Sequence, residues 1–401
     1  MNPIKNVGIL GDGQLSQMLT LAAFKLGLAP WVLTASDRSP AEKAGALLVE
    51  GRLDDLLAVQ KFFEKVSLAV FENEFIDCHI LDLALKAVDP PTVLQPSTAV
   101  MESFRDKLKQ KHCLVELGIP TAPFIPFESN KETLTDWLTR VSVAYENGCV
   151  LKWGRFGYDG KGVHFFDPSL VAAAQNFSQV AIDRKVSLYA EEKIKFKREL
   201  AMVCVQSVND EFVHYPLVIS EQRQGVCRKV YGPAREFGVS ANSEKVAVEA
   251  GRRLAKRAGL VGAFAVEFFE TDLGHLSVNE ISPRVHNSGH YTQDAAVTSQ
   301  FENHWRAVLA MPLGETKTST AFAMLNILGP DRDIVAQRVP LPEVLAPAKL
   351  HWYGKDKISP LRKLGHINVA VSNVSGLTPA LTELEQNLQK WEKIVEALRD
   401  E

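Results

Sequence analysis

Two glutamates stand where a carboxylate is costly. Glu267 lies in the run Ala265-Val-Glu-Phe-Phe269, and Glu280 in Val278-Asn-Glu-Ile281. An acid inside an apolar strand needs a cation, a hydrogen-bond partner or a metal. Asn279 adds a neutral oxygen ligand beside the second acid. Two strands joined by a short turn would put both carboxylates on one wall. Hard oxygen ligands together with phosphate oxygens are what magnesium takes. The bland alternative is a hairpin with two solvent-facing acids.

The polar run Ser282-Pro-Arg-Val-His-Asn-Ser-Gly-His290 follows directly. It gathers Arg284, His286 and Asn287 at the end of a core strand, a usual place for a site. A guanidinium there suits a planar, bidentate oxyanion. Upstream, Lys152 lies inside the apolar strand Val150-Leu-Lys-Trp153, and Lys107 follows Asp106 at a helix start. Each reads as a phosphate contact or as a snorkelling surface lysine. Glu191 and Glu199 are eight residues apart across a turn. That spacing suits adenine at one end and ribose hydroxyls at the other, although a charged turn looks the same.

Two glycine-rich loops could approach a ligand closely. Gly154-Arg-Phe-Gly-Tyr-Asp-Gly-Lys-Gly162 lies between two strand-like runs and reads as a hairpin tip that closes over a ligand, bringing Lys161 to phosphate. Gly11-Asp-Gly-Gln-Leu-Ser16 follows a strand and opens a helix, whose free N–H groups would face an anion. A dinucleotide fingerprint needs a third glycine where Ser16 stands, and an acid at the end of the second strand, where only Asp37 is near. The loop therefore reads as a contact for a phosphate-bearing substrate or as a structural turn, more than as a nicotinamide or flavin site.

The elements that must position these residues fall into three stretches. Over residues 1–100, strands Val7 to Leu10, Trp31 to Thr34 and Leu68 to Phe71 alternate with helices such as Gln14 to Leu26, which predicts an α/β unit with a parallel sheet. Pro90, Pro91 and Pro96 mark its end. Residues 101–188 begin with a helix over Phe104 to Leu117 and hold the 154–162 loop between strands. Residues 189–401 are mostly strands, giving an α+β pattern. They are interrupted by helices at Ser243 to Ala258 and Gln300 to Leu309, and end in a helix from Pro379 to Leu398.

Composition excludes several classes. The chain has 401 residues, 45 Lys and Arg against 48 Asp and Glu, and a net charge of -3, without the basic excess of a nucleic-acid protein. The five cysteines form no CxxC pair, which favours a reducing, cytoplasmic setting. No leading signal and no run of about 20 apolar residues is present, so no membrane partner is expected. A homodimer is the default assembly.

Together these residues resemble the ATP-grasp superfamily, and within it the 5-(carboxyamino)imidazole ribonucleotide synthase family of purine biosynthesis. The resemblance runs through Gly11-Asp-Gly-Gln-Leu15, Glu72 and Glu74, Leu117-Gly-Ile-Pro-Thr-Ala-Pro-Phe124, Gly157-Tyr-Asp-Gly-Lys-Gly162, Asn279-Glu280, Pro283-Arg-Val-His-Asn-Ser-Gly-His290, Tyr353-Gly-Lys355 and Arg362-Lys-Leu-Gly-His366. It implies an N-terminal pre-ATP-grasp domain, a small lid and a C-terminal ATP-grasp domain. The implied reaction phosphorylates bicarbonate with ATP to carboxyphosphate, and captures the released carbon dioxide on the amine of aminoimidazole ribonucleotide. By the same resemblance, Glu267 and Glu280 hold magnesium ions, two being expected. Lys107, Lys152, Glu191, Lys193, Ile194, Glu199 and Asn279 bind ATP. Arg284, His286, Asn287 and Lys161 act on the acyl phosphate. Gln14, Leu15, Glu74, Tyr158, Asp159, Lys355 and Arg362 hold the ribonucleotide.

The chain departs from the family pattern at Asp12, Ser16, Gln17, Phe75, Ile219, Ser220, Gln222 and Ser359, and Lys107 stands where arginine is common. The departures cluster on the ribonucleotide side, so a different ATP-grasp ligase with a changed substrate stays open. So does a nucleotide-binding paralogue without catalysis.

Overall fold

The computed structural model describes residues 5–36, 38–157, 162–335, 339–344 and 346–398. The first sheet comprises β1 (Asn6–Leu10), β2 (Ala29–Thr34), β3 (Leu47–Glu50), β4 (Leu68–Phe71) and β5 (Val93–Gln95) in the order β3-β2-β1-β4-β5. Every pairing in it is parallel, as the alternation of strands and helices predicts. β1 and β4 are apolar along nearly their whole length because both sheet faces are covered. The short strands β3 and β5 carry too little apolar sequence to stand out alone.

A second, antiparallel sheet is built from β6 (Phe124–Pro126), β7 (Cys149–Trp153), β8 (Val163–Phe166) and β9 (Leu188–Glu192), in the order β6-β9-β7-β8. Helices Leu134–Ala144 and Val171–Asp183 cover one face through Trp137, Val141, Ala174 and Ala181. β7 and β8 pair antiparallel on either side of the glycine-spaced segment.

The third sheet contains β10 (Arg198–Gln206), β11 (Phe212–His214), β12 (Val218–Arg223), β13 (Val226–Gly232), β14 (Gly262–Glu270), β15 (Leu276–Ser282), β16 (Ala321–Leu328), β18 (Lys349–Trp352) and β20 (Lys363–Val371). Its order is β15-β14-β10-β12-β13-β16-β20-β18, with β11 also on β10. A separate two-stranded pair joins β17 (Ile334–Val335) to β19 (Lys357–Ile358). Period-two alternation splits β10 cleanly. Leu200, Met202 and Cys204 pack under helix Ala241–Ala258, while Ala201, Val203 and Val205 face the opposite side. On that opposite side, helix Gln300–Val308 packs against helix Gln14–Lys25 of the first unit, and Trp305 Nε1 donates to the Leu19 carbonyl at 2.9 Å. One continuous core therefore fastens the parallel sheet to the large antiparallel one.

Two helices differ from their expected bounds by more than two residues. The helix expected over 104–117 runs Lys107–Glu116, and a separate helix, Thr98–Phe104, ends where it was expected to begin, because Asp106 leaves helical geometry to cap Leu108 and Lys109 N–H. The last helix runs Val374–Glu396 and starts before Pro379, since Asn373 caps its first turn. Among the described residues no helix is long and apolar enough to cross a membrane, and all five cysteines are free thiols.

Candidate active site

Glu267 and Glu280 are direct cross-strand partners on β14 and β15. Like charges placed opposite repel, and Lys107 Nζ donates to one of them, Glu280 Oε2, at 2.6 Å. Lys107 is aimed there by its helix. Gln110, one turn on, donates to the Ile281 carbonyl at 2.8 Å and accepts from Ile281 N–H at 2.9 Å, which pins helix Lys107–Glu116 against β15. The two acids accordingly diverge. Burial, Glu280 and Glu199 push the Glu267 carboxyl up to about 8. Burial also acts on Glu280, but Lys107 outweighs it and holds that carboxyl below its ordinary value. A wall of two half-buried acids and the Asn279 amide, with Lys107 seated on Glu280, fits a divalent ion that completes its shell from phosphate and water. Among the described residues no group of three or more His, Cys, Asp and Glu forms a closed metal cage.

The lysines form a second cluster. Lys152 Nζ reaches Asn279 Oδ1 at 3.2 Å and also pairs with Glu191. Lys111 Nζ lies 2.8 Å from the other Glu191 oxygen. The Glu191 carboxylate is thus almost wholly enclosed between two lysines. Burial raises its pKa, but Lys152 and Lys111 together bring it below the ordinary value. Lys111 escaped sequence reasoning, although its spacing of four from Lys107 puts both on one helix face. Glu199, on β10, has no such enclosing lysine pair among the described residues, and burial, only partly offset by Lys152, pushes it up to about 7.

The Arg284–His290 loop leaves β15 and crosses the cleft. Arg284 forms a bidentate pair with Glu74 of the parallel-sheet unit, Nη2 to Oε1 being 3.0 Å. His286 Nε2 sits 3.5 Å from Glu267 Oε1, and its Nδ1 meets Ser288 Oγ at 2.9 Å. Burial, Arg284 and Lys363 push this imidazole down to about 3, so it is neutral near pH 7. Asn287 and Asn326 exchange amide hydrogen bonds at 3.0 and 2.7 Å, and Asn326 also donates to the Cys227 carbonyl at 2.9 Å. Asn326 lies within the apolar strand β16, a cue the sequence offered.

Most of these groups line one cleft of about 660 Å³, with Gln110, Lys111 and Asn326 behind its wall-forming residues. It brings together Glu74, Lys107, Lys152, Glu191, Lys193, Ile194, Glu199, Glu267, Asn279, Glu280, Arg284, His286 and Asn287. Phe196 and Phe269, stacked at 4.6 Å between ring centres, form an apolar end, and Phe75, Ser220 and Gln222 line the cleft where the chain departs from the family. Lys363 also lines it.

Other expected residues lie elsewhere. The N-terminal glycine loop is not open to an anion. The Glu72 carboxylate accepts from Gly13, Leu15 and Ser16 N–H at 2.8, 3.2 and 3.4 Å, so the chain's own acid takes the helix-start donors. Ser16 Oγ donates to the Gly11 carbonyl at 2.7 Å, which gives the departure there a structural task. Gln14 opens the helix beside this loop, and the Leu15 side chain is core. Lys355 Nζ lies 5.6 Å from the centre of the Tyr353 ring, and the Arg362 guanidinium donates to the Lys357 carbonyl at 2.9 Å. Asp37, Tyr158, Asp159 and Lys161 lie outside the described residues.

Comparison with known proteins matches residues 112–301 to the ATP-grasp domain, residues 4–102 to the ribonucleotide synthetase preATP-grasp domain and residues 322–378 to the phosphoribosylaminoimidazole carboxylase C-terminal domain. The N5-carboxyaminoimidazole ribonucleotide synthase of Synechococcus elongatus is 35% identical, covering 99% of this chain and 96% of that protein. The Bacillus subtilis protein of the same name is 33% identical, over 90% of each. Among solved structures, the Thermus thermophilus N5-carboxyaminoimidazole ribonucleotide synthetase superposes with a TM-score of 0.79 at 32% identity, covering 98% of this chain and all of that one. The Aspergillus clavatus enzyme in complex with ADP and 5-aminoimidazole ribonucleotide gives 0.81 at 28%, covering 97% and 100%. With full-length relatives, three matching family models and a cleft that joins acids, lysines and an arginine, this chain belongs to the N5-carboxyaminoimidazole ribonucleotide synthase family of ATP-grasp ligases.

Proposed function

We propose that this protein carboxylates the exocyclic amine of 5-aminoimidazole ribonucleotide at the expense of ATP and bicarbonate. The observation that carries the reading is the opposed pair Glu267 and Glu280 beside Lys107 and Lys152 in a single cleft. Bicarbonate oxygen attacks the γ-phosphorus of ATP, the bond to ADP breaks, and carboxyphosphate forms. That intermediate splits into phosphate and carbon dioxide. The amine nitrogen adds to the carbon dioxide and loses a proton, leaving the carbamate.

Each step asks for charge and position more than covalent catalysis. Lys107 and Lys152 neutralise phosphate oxygens. Glu267, Glu280 and Asn279 would hold magnesium, which supplies positive charge to the transferring phosphoryl group when bound. Arg284, already aligned by Glu74, presents a fork to the acyl phosphate. His286 is neutral, its Nδ1 accepting from Ser288 N–H at 3.3 Å, which leaves the proton on Nε2, on the side facing Glu267. The reading extends to Lys193, Ile194 and Glu199 as nucleoside contacts, to Lys355 and Arg362 at the ribonucleotide phosphate, to Lys161, Tyr158 and Asp159 on the loop, and to a cytoplasmic homodimer with domains near 1–100, 101–188 and 189–401. The test is ADP release by purified protein with magnesium and ATP, with and without bicarbonate and the ribonucleotide. ADP formation that depends on bicarbonate and rises with the ribonucleotide is the expected outcome. Stimulation by a different amine instead would redirect the reading to another ligase.

A further inference from the structure

Gln300 is a polar side chain with no access to solvent. It opens helix Gln300–Val308, behind the Arg284–His290 loop, and is fully buried. Both ends of its amide are used. Oε1 accepts from His286 N–H at 3.0 Å, and Nε2 donates to the His286 carbonyl at 2.7 Å. Nε2 also reaches His290 Nδ1 at 3.4 Å. One side chain thus closes on both polar groups of the His286 backbone, as the neighbouring strand of an antiparallel ladder does.

The loop needs such a partner. β15 ends at Ser282, so its ladder stops short of His286, and buried backbone groups must still be satisfied. The Gln300 backbone is tied to the same loop. Its N–H donates to Thr292 Oγ1 at 3.0 Å, and that hydroxyl donates to the Gly289 carbonyl at 2.6 Å. Gly289 is what lets the amide in: a Cβ there would stand 2.7 Å from Gln300 Cδ and Oε1, closer than real side chains approach.

The clasp holds part of the cleft wall. His286 keeps Nε2 3.5 Å from Glu267 Oε1, and Asn287 follows it into the same cleft. On the other side, the helix that carries Gln300 is itself anchored. Asn303 Oδ1 accepts from Gly314 N–H at 2.7 Å, and Trp305 Nε1 donates to the Leu19 carbonyl at 2.9 Å. A displacement of about 1 Å at a site can cost about 100-fold in rate, so a loop that carries reacting groups gains from a fixed support.

We infer that Gln300 is a positioning residue for the reaction, setting His286 and Asn287 against the opposed acids from behind the cleft wall. The inference rests on the carboxylation reading above. The readout is kcat and KM for bicarbonate-dependent ADP release, at a temperature where each variant is folded. Gln300→Leu fills the space without either hydrogen bond. Its kcat should fall about 10- to 100-fold with the KM for ATP near wild type.

Gln300→Glu keeps the shape. Protonated, the introduced carboxyl accepts from His286 N–H and donates to the His286 carbonyl; ionised, it turns a second acceptor toward that carbonyl. Its kcat relative to wild type should therefore be highest at acid pH and fall by about 10-fold toward alkaline pH. Trp305→Phe, on the same helix, loses its bond to Leu19 and should lower the melting temperature with kcat unchanged. Wild-type kcat in folded Gln300→Leu, a pH-independent ratio in Gln300→Glu, or a kcat loss in Trp305→Phe as large as in Gln300→Leu would overturn the positioning role and leave the carboxylation reading intact. Wild-type protein that releases no ADP in response to bicarbonate would overturn that reading, and the inference with it.

Discussion

Glu267 and Glu280 face each other across two strands, and of these two acids Lys107 donates to Glu280, at 2.6 Å. The pair is therefore poised unevenly, with one anionic ligand in place and one whose charge is stabilised by an arriving cation. Glu280→Gln removes the permanent charge and strands Lys107. Turnover should fall by about 100- to 1,000-fold, while circular dichroism and melting temperature remain close to wild type. Wild-type turnover in folded Glu280→Gln would sink the central assignment.

Lys111 is buried against Glu191. Replacing it with methionine leaves a buried carboxylate with Lys152 as its remaining close cation. Denaturant unfolding should show a loss of about 3 kcal/mol, typical of breaking a buried pair. Lys111→Met combined with Glu191→Gln should recover much of that loss. Equal losses in the single and double variants would mean that the effect is packing alone.

Asn326 holds Asn287 through a reciprocal amide pair. Asn326→Leu leaves that amide unpaired and should cost about 1–3 kcal/mol of stability. More tellingly, kcat should drop at unchanged KM for ATP, since the nucleoside contacts proposed above belong to β10 and the segment before it, not to β16. A change confined to the KM for ATP would place Asn287 on the nucleotide instead.

Arg362 and Lys355 test the ribonucleotide end. If the guanidinium contacts the 5′-phosphate, Arg362→Ala removes about 1.5–3 kcal/mol. The KM for the ribonucleotide should then rise roughly 10- to 150-fold, and that for ATP little. Steady-state kinetics varying each substrate in turn distinguish this from a structural turn, in which neither constant moves.

Burial pushes the His304 imidazole down to about 4, where Nδ1 accepts from Ala263 N–H at 2.9 Å. In the unfolded chain a histidine takes up its proton near 6.5. Between those values the unfolded state binds more protons, so stability is full above about 6.5 and declines as pH falls toward 4. His304 alone contributes on the order of 3 kcal/mol to that decline. His304→Asn, which keeps an acceptor, should flatten this acid limb in pH-dependent urea unfolding. An unchanged slope would place the titration elsewhere.

Local pattern made much of this protein legible from its sequence. β14, β15, β7 and the loop after β15 were readable because a carboxylate or lysine inside an apolar strand is expensive and therefore conspicuous. The parallel sheet followed from alternating strand and helix runs. Tertiary structure alone decided which charges meet. Glu72 and the Gly13 N–H are 59 residues apart; only the parallel pairing of β1 with β4 delivers the acid to the helix start, where it displaces any external anion. Arg284 and Glu74, separated by 210 residues, pair because one core fastens two sheets together. Sequence spacing reports which side chains share a strand or a helix face. Which distant element lies opposite depends on how the sheets pack, and from that packing come the partners, the burial and the shifted charges of the site.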